Sequence, residues 1–161
     1  MALGDNTLRS AAGNSQRGRN PYMVQTTLNW ATALSDKGSA LAAADVVPVI
    51  AVPKGTMILN AGIEVDTATD GSTFTVDLGT GVDPDVFVDG FDATSAAAVV
   101  AQNPAVYQPV MAVADDNIDV TIASLSGGAV SSGKFRVWAI LMDCTDIGDL
   151  TANEVDRDTL A

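Results

Sequence analysis

The sequence predicts an all-β protein, an antiparallel two-sheet sandwich or a barrel, with an extended N-terminal arm. Three observations predict it. About eight runs alternate apolar and polar side chains at the two-residue period of a half-buried strand. Turn-forming Gly, Asp and Pro residues separate these runs roughly every ten residues. Of the 20 acidic residues, 18 are aspartate and only Glu64 and Glu154 are glutamate. Aspartate competes for backbone hydrogen bonds and so favours turns over helix interiors.

Residues 1–20 form the arm. They are rich in Gly, Ser, Asn and Ala, and Arg9, Arg17 and Arg19 stand against Asp5 alone. The segment is therefore +2, and the rest of this −12 chain is −14. With little to bury, it is either a frayed terminus or a basic arm. As an arm it docks on an acidic neighbour or on another copy of the same acidic body.

The sandwich domain is assigned to residues 21–145. From Tyr22 to Leu34, Tyr22, Val24, Thr26, Leu28, Trp30, Thr32 and Leu34 alternate with more polar neighbours, which predicts one long strand with Trp30 in the core. "SDKGSALAAAD" then reads as a loop with room for one helical turn. "VVPVIAV", residues 46–52, is a short strand that Pro48 and Pro53 keep at an edge or a bulge. In "TMILNAGIEVDTA", residues 56–68, Ala61-Gly62 suggests a bulge that bends the strand from one sheet into another. "TDGS", residues 69–72, is a hairpin signal, and "TFTVDLG" its partner strand.

Alanines in residues 92–102 permit a short helix. Residues 105–114, 117–125 and 134–143 read as strands, and "SGGAVSSGK" links the last two as a mobile loop. Both faces of 134–143 are apolar beyond Arg136. That strand is central, or one of its faces meets another subunit. The C-terminal tail, 146–161, is polar, with a short helix possible at 151–158.

Composition removes whole classes of function. The chain has no histidine and one cysteine, Cys144, so sites built on imidazole and intrachain disulfides are excluded. Cys144 follows an apolar run with no basic residue near it in sequence, and reads as a buried structural thiol. An acidic body repels nucleic acid. No apolar run approaches the ~20 residues of a membrane helix, and no secretory signal is visible. Aromatic residues, at 5%, are too few for the usual stacking platforms.

The stretch "DLGTGVDPDVFVDG", residues 77–90, admits three readings. A phosphate loop fails, because no lysine or Ser/Thr follows at the required spacing and the carboxylates repel phosphate. A calcium cage would use Asp77, Asp83, Asp85 and Asp89, but Val88 and Thr94 stand where a calcium loop needs glycine and an acid. A structural turn, started by Asp83-Pro84-Asp85 and permitted by Gly79, Gly81 and Gly90, is the preferred reading. It implies no metal and no cofactor. Asp115, Asp116 and Asp119 read as a solvated turn rather than an acid/base pair.

Lys54-Gly55, the run Ala61-Gly62-Ile63-Glu64-Val65, the Asp70-Gly71 turn and residues Gly79 to Phe87 together resemble tailed-bacteriophage capsid decoration or cement proteins. The resemblance covers about the middle third of the chain. It implies a jelly-roll-like sandwich, often trimeric, that sits on the outer shell of the virion and stabilises contacts between major capsid proteins. It brings no active-site residues. The expected partners are the major capsid protein and further copies of this chain. Candidate contact residues are Arg9, Arg17 and Arg19 in the arm, Tyr22 and Trp30 in the first strand, and Trp138 in the last. The alternatives are a calcium-stabilised adhesin, a carbohydrate-binding sandwich, or a hydrolase built on paired aspartates.

Overall fold

The computed structural model describes residues 20–101, 109–127 and 130–144. In chain order the elements are β1 (Tyr22–Asn29), α1 (Trp30–Lys37), β2 (Val46–Val52), β3 (Thr56–Thr67), β4 (Thr73–Thr80), β5 (Val88–Asp92), β6 (Val99–Ala101), β7 (Val110–Met111), β8 (Asp116–Ser126) and β9 (Lys134–Asp143).

One sheet runs β1-β9-β3-β6, with β7 also paired to β3; the other runs β2-β8-β4-β5. Every pairing is antiparallel. Only the β4–β5 and β6–β7 steps stay within one sheet, and every other connection crosses to the opposite sheet. This winding is that of a jelly-roll sandwich, so the all-β, two-sheet expectation holds.

The core lies between the layers because each long strand places alternate residues inward. β9 contributes Phe135, Val137, Ala139 and Leu141, all buried, and β8 answers with Ile118, Val120 and Ile122. Trp30, Phe74 and Phe135 meet at the centre, all fully buried. The Trp30 ring lies 4.9 Å from Phe74 and 5.5 Å from Phe135, each at 77°. That edge-to-face geometry places ring edges against the negative ring faces. The indole Nε1 of Trp30 has no hydrogen-bond partner.

The long strand expected over Tyr22–Leu34 ends at Asn29, where α1 begins. Two caps decide this. Asn29 accepts a hydrogen bond from the Ala31 amide at 3.0 Å, and Gly38, at φ 68°, closes the helix by donating to Leu34 O at 3.1 Å. These caps override an alternation that continues by composition alone.

β2 is an edge strand with a register shift between Pro48 and Ile50, as its prolines require. In β3 the irregularities fall between Ile58 and Asn60 and between Val65 and Thr67, not at Ala61-Gly62. The strand stays in one sheet throughout. The turn expected at 69–72 exists, but it joins the two layers; β3 and β4 do not pair. Asp70 holds it by accepting from the amides of Ser131 at 2.9 Å and Ser132 at 3.1 Å. The described part of the 126–134 link is accordingly pinned, with Val130 fully buried and Gly133 O accepting from the Trp30 amide.

The helix permitted over 92–102 does not form in the described part of that range, residues 92–101. Ser95 to Ala98 make a turn in which Ala97 takes φ 60°, and Ala97 and Ala98 exchange backbone bonds with Val65 before β6. Of the strand expected at 105–114, residues 105–108 lie outside the described residues, and β7 covers Val110–Met111. The 134–143 strand is central, between β1 and β3.

Candidate functional site

Two surfaces stand out. The first is the outer face of the β1-β9-β3-β6 sheet. Register places Met23 beside Ile140 and Gln25 beside Trp138, then Met142 beside Met57 and Trp138 beside Gly62. Val99 and Met111 extend the face across β6 and β7. Met23 and Val99 are each 62% exposed, while Trp138, Ile140 and Met142 are half-buried. Between the Thr27–Arg136–Glu64 row and the Met142–Met57 row, the charged side chains are Arg136 and Glu64, paired at 2.8 Å. A chain of net charge −12 thus presents, among the described residues, one largely apolar face without net charge.

The Trp138 ring rests against Gly62. A Cβ at residue 62 would clash with the indole and lie 2.7 Å from Val100 O. The glycine predicted as a bulge is needed for this close approach instead.

The second surface is one open end of the sandwich, where residues 80–86 and 110–117 enclose a cleft of about 500 Å³. Val52, Ile58 and Ala112 are its buried wall, and Val86 and Val110 are half-buried. Val82 and Val113 line it too, 86% and 78% exposed. Asp83, Asp115 and Asp116 complete the lining. Asp115 accepts from the Lys54 amide at 2.9 Å, and Asp116 from the amides of Gly81 at 3.3 Å and Asn117 at 2.8 Å. Among the described residues, the ion pairs are Lys37–Asp45 and Arg136–Glu64, so these three acids have no cationic partner there.

The aspartate-rich stretch forms the β4–β5 hairpin beside this cleft. Thr80 N donates to Asp83 O at 2.8 Å and Phe87 N to Leu78 O at 3.0 Å. The Thr80 hydroxyl accepts from the amides of Val82 and Asp83, each at 3.3 Å. Asp77 accepts from the Gly90 amide at 2.7 Å. Its carboxyl is pushed above the ordinary range by burial and by the charges of Asp89 and Asp85. The protonated Asp83 carboxyl donates a hydrogen bond to the Asp85 side chain, and this, then burial, pushes Asp83 up as well. Among the described residues, no three acidic or Cys side chains group in a way that could hold a metal ion. Asp119, at the same end of β8, is also raised, by burial and then by Asp116.

No family model and no curated protein matches the sequence. Solved structures do match in shape. A chain in the capsid asymmetric unit of cyanophage Pam1 is 17% identical, with a TM-score of 0.59 over 88% of this chain and 97% of that one. A chain in the acidic stable capsid structure of Helicobacter pylori bacteriophage KHP30 is 12% identical, with a TM-score of 0.54 over 78% and 89%. A chain in the capsid of Ralstonia phage GP4 is 17% identical, with a TM-score of 0.53 over 86% and 90%. The fold is one found in phage capsids. The phage-capsid part of the likeness read from the middle third of the sequence therefore extends, as fold, over most of the chain.

The residues singled out in sequence fall in different places. Tyr22 is 46% exposed at the start of β1, and Trp138 lies on the outer sheet face. Trp30 is wholly enclosed in the core and leaves no surface on this chain. Arg9, Arg17 and Arg19 lie outside the described residues, as does the 146–161 tail. Cys144 is half-buried and donates its amide to Gly55 O at 2.8 Å. Sequence reasoning missed the cleft, whose lining comes from separate stretches around residues 52, 58, 80–86 and 110–117. The first strand and the two-sided 134–143 strand were both expected as contact elements, but Met23, Ile140 and Met142 were not singled out within them. Among the described residues, no helix is long and apolar enough to cross a membrane.

Proposed function

We propose that this chain is a structural virion protein that decorates the outside of a bacteriophage capsid and stabilises contacts between major capsid proteins. One observation carries the reading: the fold is shared, over 78% to 88% of this chain, with chains from three phage capsids. Its contribution is contact area and not chemistry, so the reading is non-enzymatic. A standard interface of ~1,600 Å² repeated over a shell resists internal pressure by summation.

The neutral apolar face around Met23, Trp138, Ile140 and Met142 supports contact with other chains, since burying it costs no unpaired charge. Tyr22, in register with the inward-facing Leu141, is a separate contact candidate at the exposed start of β1. The arm with Arg9, Arg17 and Arg19 is a second contact element. Self-association as a trimer completes the proposal. The acidic body keeps the chain off nucleic acid.

Particles of the phage that carries this sequence, made with and without the chain, would be purified and heated while DNA release is followed. We expect the chain to sediment with intact particles and to raise the release temperature. Its absence from purified particles would overturn the virion reading, and equal release temperatures the stabilising role. Sedimentation equilibrium of the isolated chain checks the trimer, and a monomer at all concentrations would remove it.

A further inference from the structure

The acid-lined cleft at the end of the sandwich has a ready occupant in the same chain. Tyr22, Leu141, Ile58 and Val110 form one row across β1, β9, β3 and β7. Ile58 and Val110 line the cleft, so β1 begins at the cleft end of the sheet. Three strand spacings separate Tyr22 from Val110, about 14 Å. Five extended residues span about 17 Å. Arg17 lies five residues before Tyr22, and 19 residues precede the described chain.

Charge points the same way. Residues 1–19 carry Arg9, Arg17 and Arg19 against Asp5. The cleft carries Asp83, Asp115 and Asp116, none of which forms an ion pair with a described Lys or Arg. Its wall and its exposed valines are apolar, and the segment offers Leu3, Leu8, Ala11 and Ala12. Other acidic copies are repelled from this end, whereas a tethered segment is present at an effective concentration in the millimolar range.

We propose that the cleft lined by Val52, Val82, Val86, Val110, Val113 and the three aspartates binds residues 1–19 of the same chain. The arginines meet the aspartates and the small apolar residues cover the valines. This seating concerns the isolated chain and stands independently of a virion role.

The test uses the full chain with Cys144→Ser and Ala12→Cys, carrying a nitroxide at position 12. Paramagnetic broadening of valine and leucine methyl signals is recorded. We expect Val86, Val110 and Val113 to be broadened several-fold more than Leu125, which sits at the far end of β8. We expect Arg9→Ser/Arg17→Ser/Arg19→Ser in the same chain to remove the difference. Uniform broadening, or broadening untouched by the triple substitution, would overturn the proposal. A second sample mixes nitroxide-bearing chains that lack isotope with isotope-labelled chains that lack nitroxide. Cleft broadening of equal strength in that sample would assign the contact to a second copy, and would overturn seating within one chain.

Discussion

The indole of Trp138 occupies the space in which a side chain at residue 62 would stand. The two residues are cross-strand partners on β9 and β3, and a Cβ at 62 would also crowd Val100 O at 2.7 Å. Gly62→Ala must push the indole off the sheet or shift β6. We expect a loss of about 1–3 kcal/mol, the usual range for overpacking, read from urea unfolding at constant m-value. A change in tryptophan fluorescence before unfolding would report the displaced ring.

Trp30 closes the core where β1 gives way to α1. Trp30→Ala removes both edge-to-face contacts and leaves a cavity between the sheets. The expected loss is about 3–5 kcal/mol. Trp30→Phe should cost clearly less, because it keeps a ring and deletes the unpartnered indole N–H. Equal losses for the two would place the role of Trp30 in something other than packing.

Asp70 ties the turn after β3 to Ser131 and Ser132. Hydrogen bonds, first that from the Ser131 hydroxyl and then that from its amide, hold its carboxyl down to about 2. Its unfolded value lies near 3.9. A lowered folded value means that its stabilisation is present above pH ~4 and is lost as pH falls through ~2. The gap in urea midpoint between the native protein and Asp70→Asn should be widest above pH ~4 and close by pH ~2. Asp77, Asp83 and Asp119 are shifted upward and act with the opposite sign, regaining stability as they protonate. A gap that does not change with pH would remove the Asp70 charge from the account.

The hairpin of residues 77–90 should be indifferent to calcium. Backbone bonds from Thr80 and Phe87 hold it, and Asp83 and Asp85 meet each other. Melting curves in excess calcium and in chelator should coincide. Binding at 100 times the dissociation constant would add about 2.7 kcal/mol and separate them.

Layer membership was legible where side-chain period and turn chemistry agreed. The runs at 46–52, 117–125 and 134–143 became strands near their expected bounds, and Pro48 marked an edge strand. What failed was the choice of partner. The Asp70-Gly71 turn is a good local reversal, but nothing near it says whether the next strand pairs in the same sheet or crosses to the other. Alternation likewise carried the first strand through Trp30, because Thr32 and Leu34 fit either period until Asn29 and Gly38 are recognised as caps. The outer face could be seen in part, since Arg136, Trp138, Ile140 and Met142 share one parity. The cleft could not, because its walls come from strand ends and loops of both sheets that meet only once the two layers have closed.

The first strand of this sandwich pairs along its whole length with the last, Tyr22 against Leu141 through Asn29 against Lys134. Such distant partners give high contact order, which slows the search for the native state. A ribosome delivers the N-terminal end of the chain first. Tyr22–Asn29 must therefore wait for nearly the entire chain to emerge before it finds its neighbour. Until then its edge is open to wrong pairing with other nascent chains, so folding yield at high expression depends on how quickly Lys134–Asp143 arrives.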